Sequence, residues 1–547
     1  MRLPTPLSAT CAGRSVAMVF AIVAACGPAI PVGAQSVTIA TQQAAGLADP
    51  ITRIDLYRSD VFDTTESSAW YARGANKLHI NTQENVIRRE SLLSVGQPYD
   101  SARGAETVRN LRKLGVFSTV ALDTTRDSGL VVTIRTQDAW TTKPFVSYKS
   151  SGSQAIWGFG LREENLLGRL IGVLVSYRHE PDRTTKKLAV SAPRILADRI
   201  TLAGVLENFS DGRHDSLGVA FPFLSLSAPK SAFITGEVFA GDVLRYFSGE
   251  HTASDTLKRR YAIGRASIGR ALNAGDRGYL RIAFDAQYRR DDFAPLALSS
   301  SMGRTETAAL FSYLEWDRAD FAAVKEYRNL GPIEDIDLST TIRVGSSFAP
   351  GQWGYGHTGF GPLFNLKTAG NFSRGFVTLG SVGSSMIGPD GLDSGTVTVD
   401  VTGFLAPLPR HSLILHADGG WSKNPVPGQE FDLGLSRGPR AFPNHAFTGD
   451  RSFVTMGEYR WLIMPNIANL VSVAVAGFAD HGGAWYNGSA KRTGTDFGAG
   501  FRFGSIRLPS VAGALRLDAA YRLKNDVEPA GWVLVFGSGL AFEKPLK

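Results

Sequence analysis

From about residue 145 to the end, apolar and polar side chains take turns along segments of roughly ten residues. In one segment Leu280, Ile282, Phe284, Ala286 and Tyr288 alternate with Arg281, Asp285 and Gln287. In another, Leu515, Leu517, Ala519 and Tyr521 alternate with Arg516, Asp518 and Arg522. Phe453, Tyr459 and Trp461 share a face opposite Glu458 and Arg460. The closing segment sets Trp532, Leu534, Phe536, Leu540 and Phe542 against small residues such as Gly537 and Gly539. Successive side chains of a strand point to opposite faces, so each segment reads as a two-faced β-strand. A soluble β-sandwich alternates as well, with its apolar face inward. Two features of the pattern favour a membrane barrel instead. Ionisable residues recur in mid-strand, as a wet lumen allows, and Tyr288, Tyr521, Trp461 and Trp532 fall at strand ends, where a membrane interface favours aromatics. At roughly 25 residues per strand and connection, this region of about 400 residues predicts an antiparallel transmembrane barrel of about 16 strands, spanning 139–547.

Residues 51–138 follow a different rhythm and predict a small α+β domain. Ile51 to Phe62 reads as a strand. Thr82 is placed to cap a helix running through Leu93, before Gly96 and Pro98. A second helix covers about Ser101 to Leu114, with Val108, Leu111 and Leu114 on one face and Gly115 as its stop. Two strands follow, Phe117 to Thr124 and Leu130 to Thr136, joined by a turn at Asp127-Ser128-Gly129. The segment from Asp63 to Lys77 fits none of these elements and reads as an insertion.

The amino terminus adds a destination. Arg2 and Arg14 flank the apolar run Val16 to Cys26, which is too short to span a bilayer and is followed by the small-residue site Val32-Gly33-Ala34. Residues 1–34 therefore read as a cleaved signal peptide and 35–50 as a linker. Val23-Ala24-Ala25-Cys26 also fits lipoprotein processing at Cys26, and both routes stay open. The chain's two cysteines, Cys11 and Cys26, lie in this leader, so the exported part has no thiol chemistry and no disulfides. Beyond the leader no stretch of 18 apolar residues offers a transmembrane helix. The net charge of +8 is modest and unclustered, which argues against a nucleic-acid partner.

Several segments then carry a family resemblance. Ile87-Arg88-Arg89 to Gln97-Pro98-Tyr99, followed by Leu111-Arg112-Lys113-Leu114-Gly115-Val116-Phe117, resembles a POTRA domain, the periplasmic module of the BamA/TamA outer-membrane assembly superfamily. Gly160-Leu161-Arg162-Glu163-Glu164-Asn165-Leu166-Leu167-Gly168 resembles the stretch that opens these barrels. Arg440-Ala441-Phe442, with Phe447-Thr448-Gly449-Asp450-Arg451, resembles the family's lumen loop, and Gly477-Phe478-Ala479-Asp480-His481-Gly482 resembles the strand that faces it. The order and spacing of these segments cover nearly all of the exported chain. The resemblance implies an outer-membrane barrel of a diderm bacterium with one POTRA domain in the periplasm. It further implies that Arg440 pairs with Asp480, that Phe442 packs on the inner wall, and that Gly477, Phe478 and Gly482 belong to the facing strand. Two departures stand out: Ala441 occupies a position the family usually gives to glycine, and there is room for a single POTRA domain, as in a divergent or accessory member.

What the resemblance implies about function is assembly, insertion or translocation. Unfolded outer-membrane or secreted proteins would be captured by the POTRA domain and passed to the seam between first and last strands, with periplasmic or lipoprotein accessory partners. The alternative is a passive pore or structural surface barrel. An enzyme reading has no support: the nine histidines are scattered, neither His-Glu-x-x-His nor a Gly-x-Ser-x-Gly elbow occurs in a fitting context, and no metal or cofactor is implied. The tail after Phe542 reads as a short periplasmic extension.

Overall fold

The computed structural model describes residues 49–542 apart from 63–69, 152–153, 196–199, 247–252, 296–303, 332, 435–436, 469 and 506–512. The leader with its two processing sites, most of the linker and the tail after Phe542 lie outside the described residues.

The front domain is a three-stranded sheet with helices on one side. It comprises β1 (Ile51–Ser59), α1 (Trp70–Leu78), α2 (Glu84–Glu90), α3 (Ser101–Lys113), β2 (Phe117–Arg126) and β3 (Leu130–Asp138). The sheet order is β1-β3-β2, with β1 parallel and β2 antiparallel to β3. Val86 and Ile87 of α2 and Leu111 of α3 bury against Ile51, Val120, Val132 and Ile134 of the sheet. Asp100 caps α3 by accepting from the Ala102 and Arg103 amides, and Gly115, at a φ of 72°, ends it. Two expectations change. Part of the unplaced 63–77 segment belongs to α1. Thr82 does not cap α2, whose N-cap is Gln83; instead its amide and hydroxyl both donate to Asp138 Oδ2, and its hydroxyl accepts from Asn165. A polar side chain suited to a cap is used here to fasten the domain to the barrel.

The barrel closes with 20 antiparallel strands. The first ten are β4 (Thr142–Ser151), β5 (Gln154–Leu166), β6 (Ile171–His179), β7 (Thr184–Ile195), β8 (Ile200–Phe209), β9 (Gly212–Phe221), β10 (Lys230–Arg245), β11 (Asp255–Gly275), β12 (Gly278–Pro295) and β13 (Arg304–Arg318). A small hairpin, β14 (Phe321–Val324) and β15 (Glu334–Asp337), then interrupts the wall. The wall resumes with β16 (Thr340–Ala349), β17 (Gly359–Phe372), β18 (Gly375–Gly388), β19 (Gly391–Leu405) and β20 (His411–Lys423). A long loop follows, holding the two-stranded β21 (Phe431–Leu433) and β22 (Phe447–Gly449). The last wall strands are β23 (Arg451–Ile467), β24 (Val471–Trp485), β25 (Gly494–Ser505), β26 (Leu515–Arg522) and β27 (Gly531–Ser538). The expected count of 16 is therefore too low. Turns at both mouths are short, as at 180–183, 210–211 and 276–277, so each strand with its connection takes about 20 residues where roughly 25 were allowed.

The wall is inside out relative to a soluble sandwich. Trp532 and Leu534 are 71% and 64% exposed, while Arg502 and Asp518 are completely buried. Leu515, Leu517, Phe284 and Tyr288 face out, and Arg281, Asp285 and Arg516 face in. Burying ions while exposing tryptophan and leucine is costly in water and favourable where the outer medium is hydrocarbon. Among the described residues no helix is long and apolar enough to cross a membrane, which leaves strands as the crossing elements.

The front domain docks on one mouth of this barrel. Glu90 pairs with Arg194 after β7, Glu106 accepts from the Leu226 amide after β9, and Leu170 of the β5–β6 turn sits in the domain's own apolar core. The opposite, far mouth carries the turns at 180–183 and 210–211 and the loop 424–450.

Candidate functional site

The loop 424–450 leaves the far mouth and folds back into the lumen. There it builds a small core of its own from Leu433, Phe442, Ala446 and Phe447, packed on Val454, Met456 and Ala484 of the wall. Its strands β21 and β22 pair with each other, and the Thr448 hydroxyl donates to the Tyr246 carbonyl. The loop is thus fixed by apolar burial and backbone bonds before any charge is counted.

Arg440 stands at the tip of this loop, 5% exposed. Its Nε donates to Asp480 Oδ2 at 2.6 Å and its Nη2 to Asp480 Oδ1 at 3.1 Å, a two-pronged fork onto one carboxylate. Nη1 reaches two further carboxylates, Asp518 at 3.0 Å and Glu458 at 3.3 Å. The guanidinium carbon lies 3.7 Å over the Phe478 ring. Glu458 in turn accepts from Arg460 Nε at 2.6 Å and from Arg502 at 2.9 and 2.7 Å, and Asp518 accepts from Arg502 Nη1 at 2.5 Å. Asp480, Glu458, Asp518 and the three arginines Arg440, Arg460 and Arg502 form one buried ionic lattice. Such a lattice holds because each charge has several partners; any one removed leaves others uncompensated.

Ala441 takes no left-handed φ, so the glycine of the family pattern is not required here. Its amide donates to Asp496, its carbonyl accepts from Arg522, and its methyl packs with Phe478, Ala520, Val533 and Val535. Phe442 is fully buried; its ring lies against Phe447 at 5.2 Å and fills the space above Gly494, where a Cβ would clash at 2.3 Å. Gly482 faces the wall at β23 so closely that a Cβ would sit 2.8 Å from the Phe453 carbonyl. Gly477 is different: it points outward, opposite Tyr459, has open space at its Cα, and stands apart from the cluster.

The family pattern marks the Arg440 and Asp480 segments only. Glu458, Asp518, Arg460, Arg502, Asp496 and Gly494 are further members of the site. The signal for them lay in the alternation, since Glu458, Arg460 and Asp518 are inward positions of C-terminal strands.

Two more segments fill the lumen. The β14–β15 hairpin enters from the front-domain mouth, where Tyr327 packs edge-on to Phe376 and Phe404 at 5.1 and 5.4 Å. The Tyr327 carbonyl accepts from Arg460 Nη1 at 2.8 Å. At its other end the hairpin meets α3 through Arg112 and Asp335 at 3.0 Å, and Arg109 lies 4.3 Å over Phe321. A continuous line of contacts therefore runs from the front domain through the hairpin to Arg460, Glu458 and Arg440. The second segment is the chain's end. Strand β27 stops at Ser538, and Gly539, at a φ of 71°, turns the chain inward. Leu540 consequently buries beside Tyr327 and Ile414, and Phe542 stacks on His416 at 3.9 Å. The alternation had placed Leu540 and Phe542 with Trp532 on the outer face; the turn at Gly539 reverses them.

Glu334 of β15 lies outside the wall strands, and burial pushes its carboxyl up to about 7, against the Arg328 and Asn329 amides and the Arg328 and Arg460 guanidiniums, which favour the charge. A carboxyl raised on docking is more strongly protonated docked than free. Its contribution is complete below the ordinary value of about 4.5 and is lost as pH rises through about 7. The hairpin should therefore seat more firmly at pH 5 than at pH 8. In planar bilayers, brief channel openings should grow more frequent across that range for wild type and stay flat for Glu334→Gln; identical profiles would remove Glu334 from the account.

The wall has one weak junction. β27 meets β4 at a single register position, Val535 opposite Lys149, whereas β26 and β27 are paired along their whole length, as are β4 and β5. Val535 and Val533 of this seam strand are the residues that touch Ala441. The loop tip thus rests on the strand bordering the weak junction. Among the described residues no group of His, Cys, Asp and Glu is arranged to hold a metal ion.

No protein-family model and no curated protein sequence matches the chain. Solved structures do align with it. BamA from Haemophilus ducreyi lacking POTRA domains 1–3 aligns over 89% of this chain and 85% of its own, at 13% identity and a TM-score of 0.37. CdiB from Escherichia coli covers 90% and 77%, at 12% identity and a TM-score of 0.48. CdiB from Acinetobacter baumannii covers 90% and 73%, at 10% identity and a TM-score of 0.42.

Proposed function

We propose that this chain is an outer-membrane barrel that inserts or translocates other proteins, receiving them from its front domain and passing them to the seam between β27 and β4. The observation that carries this reading is the seam. An unpaired strand edge in hydrocarbon leaves backbone N–H and C=O groups without partners, at several kcal/mol for each. Every other junction of the wall removes that cost by pairing, and this one does not. Two strand edges left open in a lipid-facing wall are a template for an incoming strand, which would satisfy them by adding to the sheet.

The front domain, POTRA-like as the sequence resemblance implies, supplies the approach. Its contacts with the hairpin link client capture to the lumen lattice, and the lattice touches the seam through Ala441. The filled lumen separates this reading from a passive pore: loop, hairpin and chain end together occupy the space through which ions would flow.

The test is reconstitution. The full chain in liposomes should speed the folding of an urea-unfolded barrel protein added from the front-domain side, followed by its heat-modifiable shift on gels. Empty liposomes and liposomes carrying a porin give the baseline. Folding no faster than that baseline would leave the structural barrel as the reading to adopt.

A further inference from the structure

The outer faces of β4 to β10 line a cavity of about 1430 Å³, larger than the pockets of about 300–1,000 Å³ that hold drug-sized molecules. A convex wall offers no such space, so this arc beside the seam curves inward. Its outward side chains fall in two register rows. The row nearer the front domain is apolar: Pro144, Leu161, Val175, Leu188 and Leu206 stand opposite one another across β4 to β8. The row nearer the far mouth is polar and cationic: Tyr177, Lys186, Asn208, Arg213, Ala240 and Arg260, across β6 to β11.

Depth fixes what these rows meet. From Lys186 to the end of β7 at Ile195 is about 30 Å of strand, which at a tilt of about 40° is roughly 23 Å of height. The apolar band of such barrels is about 25 Å tall. The cations therefore lie at its far edge, level with lipid headgroups, and the leucine row lies among acyl chains. Arg213 pairs with Asp215 at 2.7 Å, while among the described residues neither Lys186 nor Arg260 has an acidic partner. Strands β5 to β9 are each paired on both sides, so no backbone edge is open to a client strand in this hollow.

Resting on the outer-membrane reading above, we propose that this hollow is a binding site for an anionic lipid of the outer leaflet, its acyl chains over Leu161, Val175, Leu188 and Leu206 and its phosphate at Lys186 and Arg260. The lipid fills a concave wall next to the weakest junction and keeps that arc in its inward curve.

The experiment has two arms on the purified full chain. Flotation with liposomes and resistance to carbonate extraction test the membrane reading alone. Native mass spectrometry from mixed micelles then counts phosphatidylglycerol against phosphatidylcholine retained by each barrel. Wild type should prefer phosphatidylglycerol, and Lys186→Gln with Arg260→Gln should lower that preference roughly fivefold per cation, or about twentyfold together. Leu206→Trp, which fills the hollow, should lower retention of both lipids. A chain that floats but retains the two lipids equally, or a double variant indistinguishable from wild type, overturns the lipid site and leaves the barrel reading standing. A stoichiometric polypeptide adduct lost in the double variant would assign the hollow to a protein and overturn it too. A chain that does not float overturns both.

Discussion

Arg440→Ala is expected to free the lumen loop and turn a barrel of low conductance into one with large, fluctuating openings. The substitution removes the fork on Asp480 and the contacts to Glu458 and Asp518, leaving Asp480 and Asp518 buried with fewer cations than before. Breaking a buried ion pair from one side costs about 3–5 kcal/mol, which is several hundred-fold or more in the balance between docked and undocked loop. The loop's remaining ties, Phe442 in its apolar cluster and Thr448 on the Tyr246 carbonyl, slow its departure without replacing the lattice. Wall hydrogen bonds are untouched, so the variant should still insert and still show a heat-modifiable shift. Single-channel recordings should show the openings, and client folding in liposomes should fall at least about tenfold, the loss of one transition-state interaction of about 1.4 kcal/mol. Arg440→Lys should fall between, because an ammonium cannot fork onto one carboxylate while reaching two others. Conductance unchanged in Arg440→Ala would show that burial alone holds the loop.

The lattice also changes what a charge swap can report. A two-residue pair would be tested by Arg440→Asp with Asp480→Arg, expecting rescue. Here an acidic side chain at 440 would face Glu458 and Asp518, both already within reach of the arginine it replaces. The swap should therefore remain defective, and rescue would mean that Asp480 is the only carboxylate that matters.

Much of this was legible in one dimension because alternation with period two states which residues share a face. Glu458, Arg460, Arg516 and Asp518 could be placed on the polar face, and that face is the lumen. What alternation cannot state is which inward residue meets which. Arg440 contacts partners 18, 40 and 78 positions away, and those meetings depend on strand register and on where a loop folds back. The family pattern supplied the 40-residue separation and was silent on the other two. Strand number was missed for a related reason: it depends on turn length, and short turns such as 210–211 leave little trace between strands. The inward turn at Gly539 was hidden because Leu540 and Phe542 continue the alternation of β27 in sequence while leaving it in space.

Stapling the seam is expected to abolish activity while leaving the barrel intact. Lys149 and Val535 are directly opposite across an antiparallel junction, where Cα atoms lie about 4.5–5.5 Å apart, within the range of about 4.4–6.8 Å that a disulfide accepts. The sequence offers a clean background, since its two cysteines, Cys11 and Cys26, sit in the amino-terminal leader. Lys149→Cys with Val535→Cys should oxidise readily and run as a folded, heat-modifiable barrel of wild-type conductance. Its rate of client folding should drop to that of empty liposomes and return on adding dithiothreitol. The control staple is Ala520→Cys with Val533→Cys, register partners in the fully paired junction between β26 and β27. It constrains the same strand by the same chemistry, so general stiffening should cost it as much as it costs the seam variant. If the oxidised seam variant folds clients as fast as its reduced form, the edges of β4 and β27 are not where a client enters. If both staples inactivate alike, rigidity of β27, rather than opening beside it, is what the activity requires.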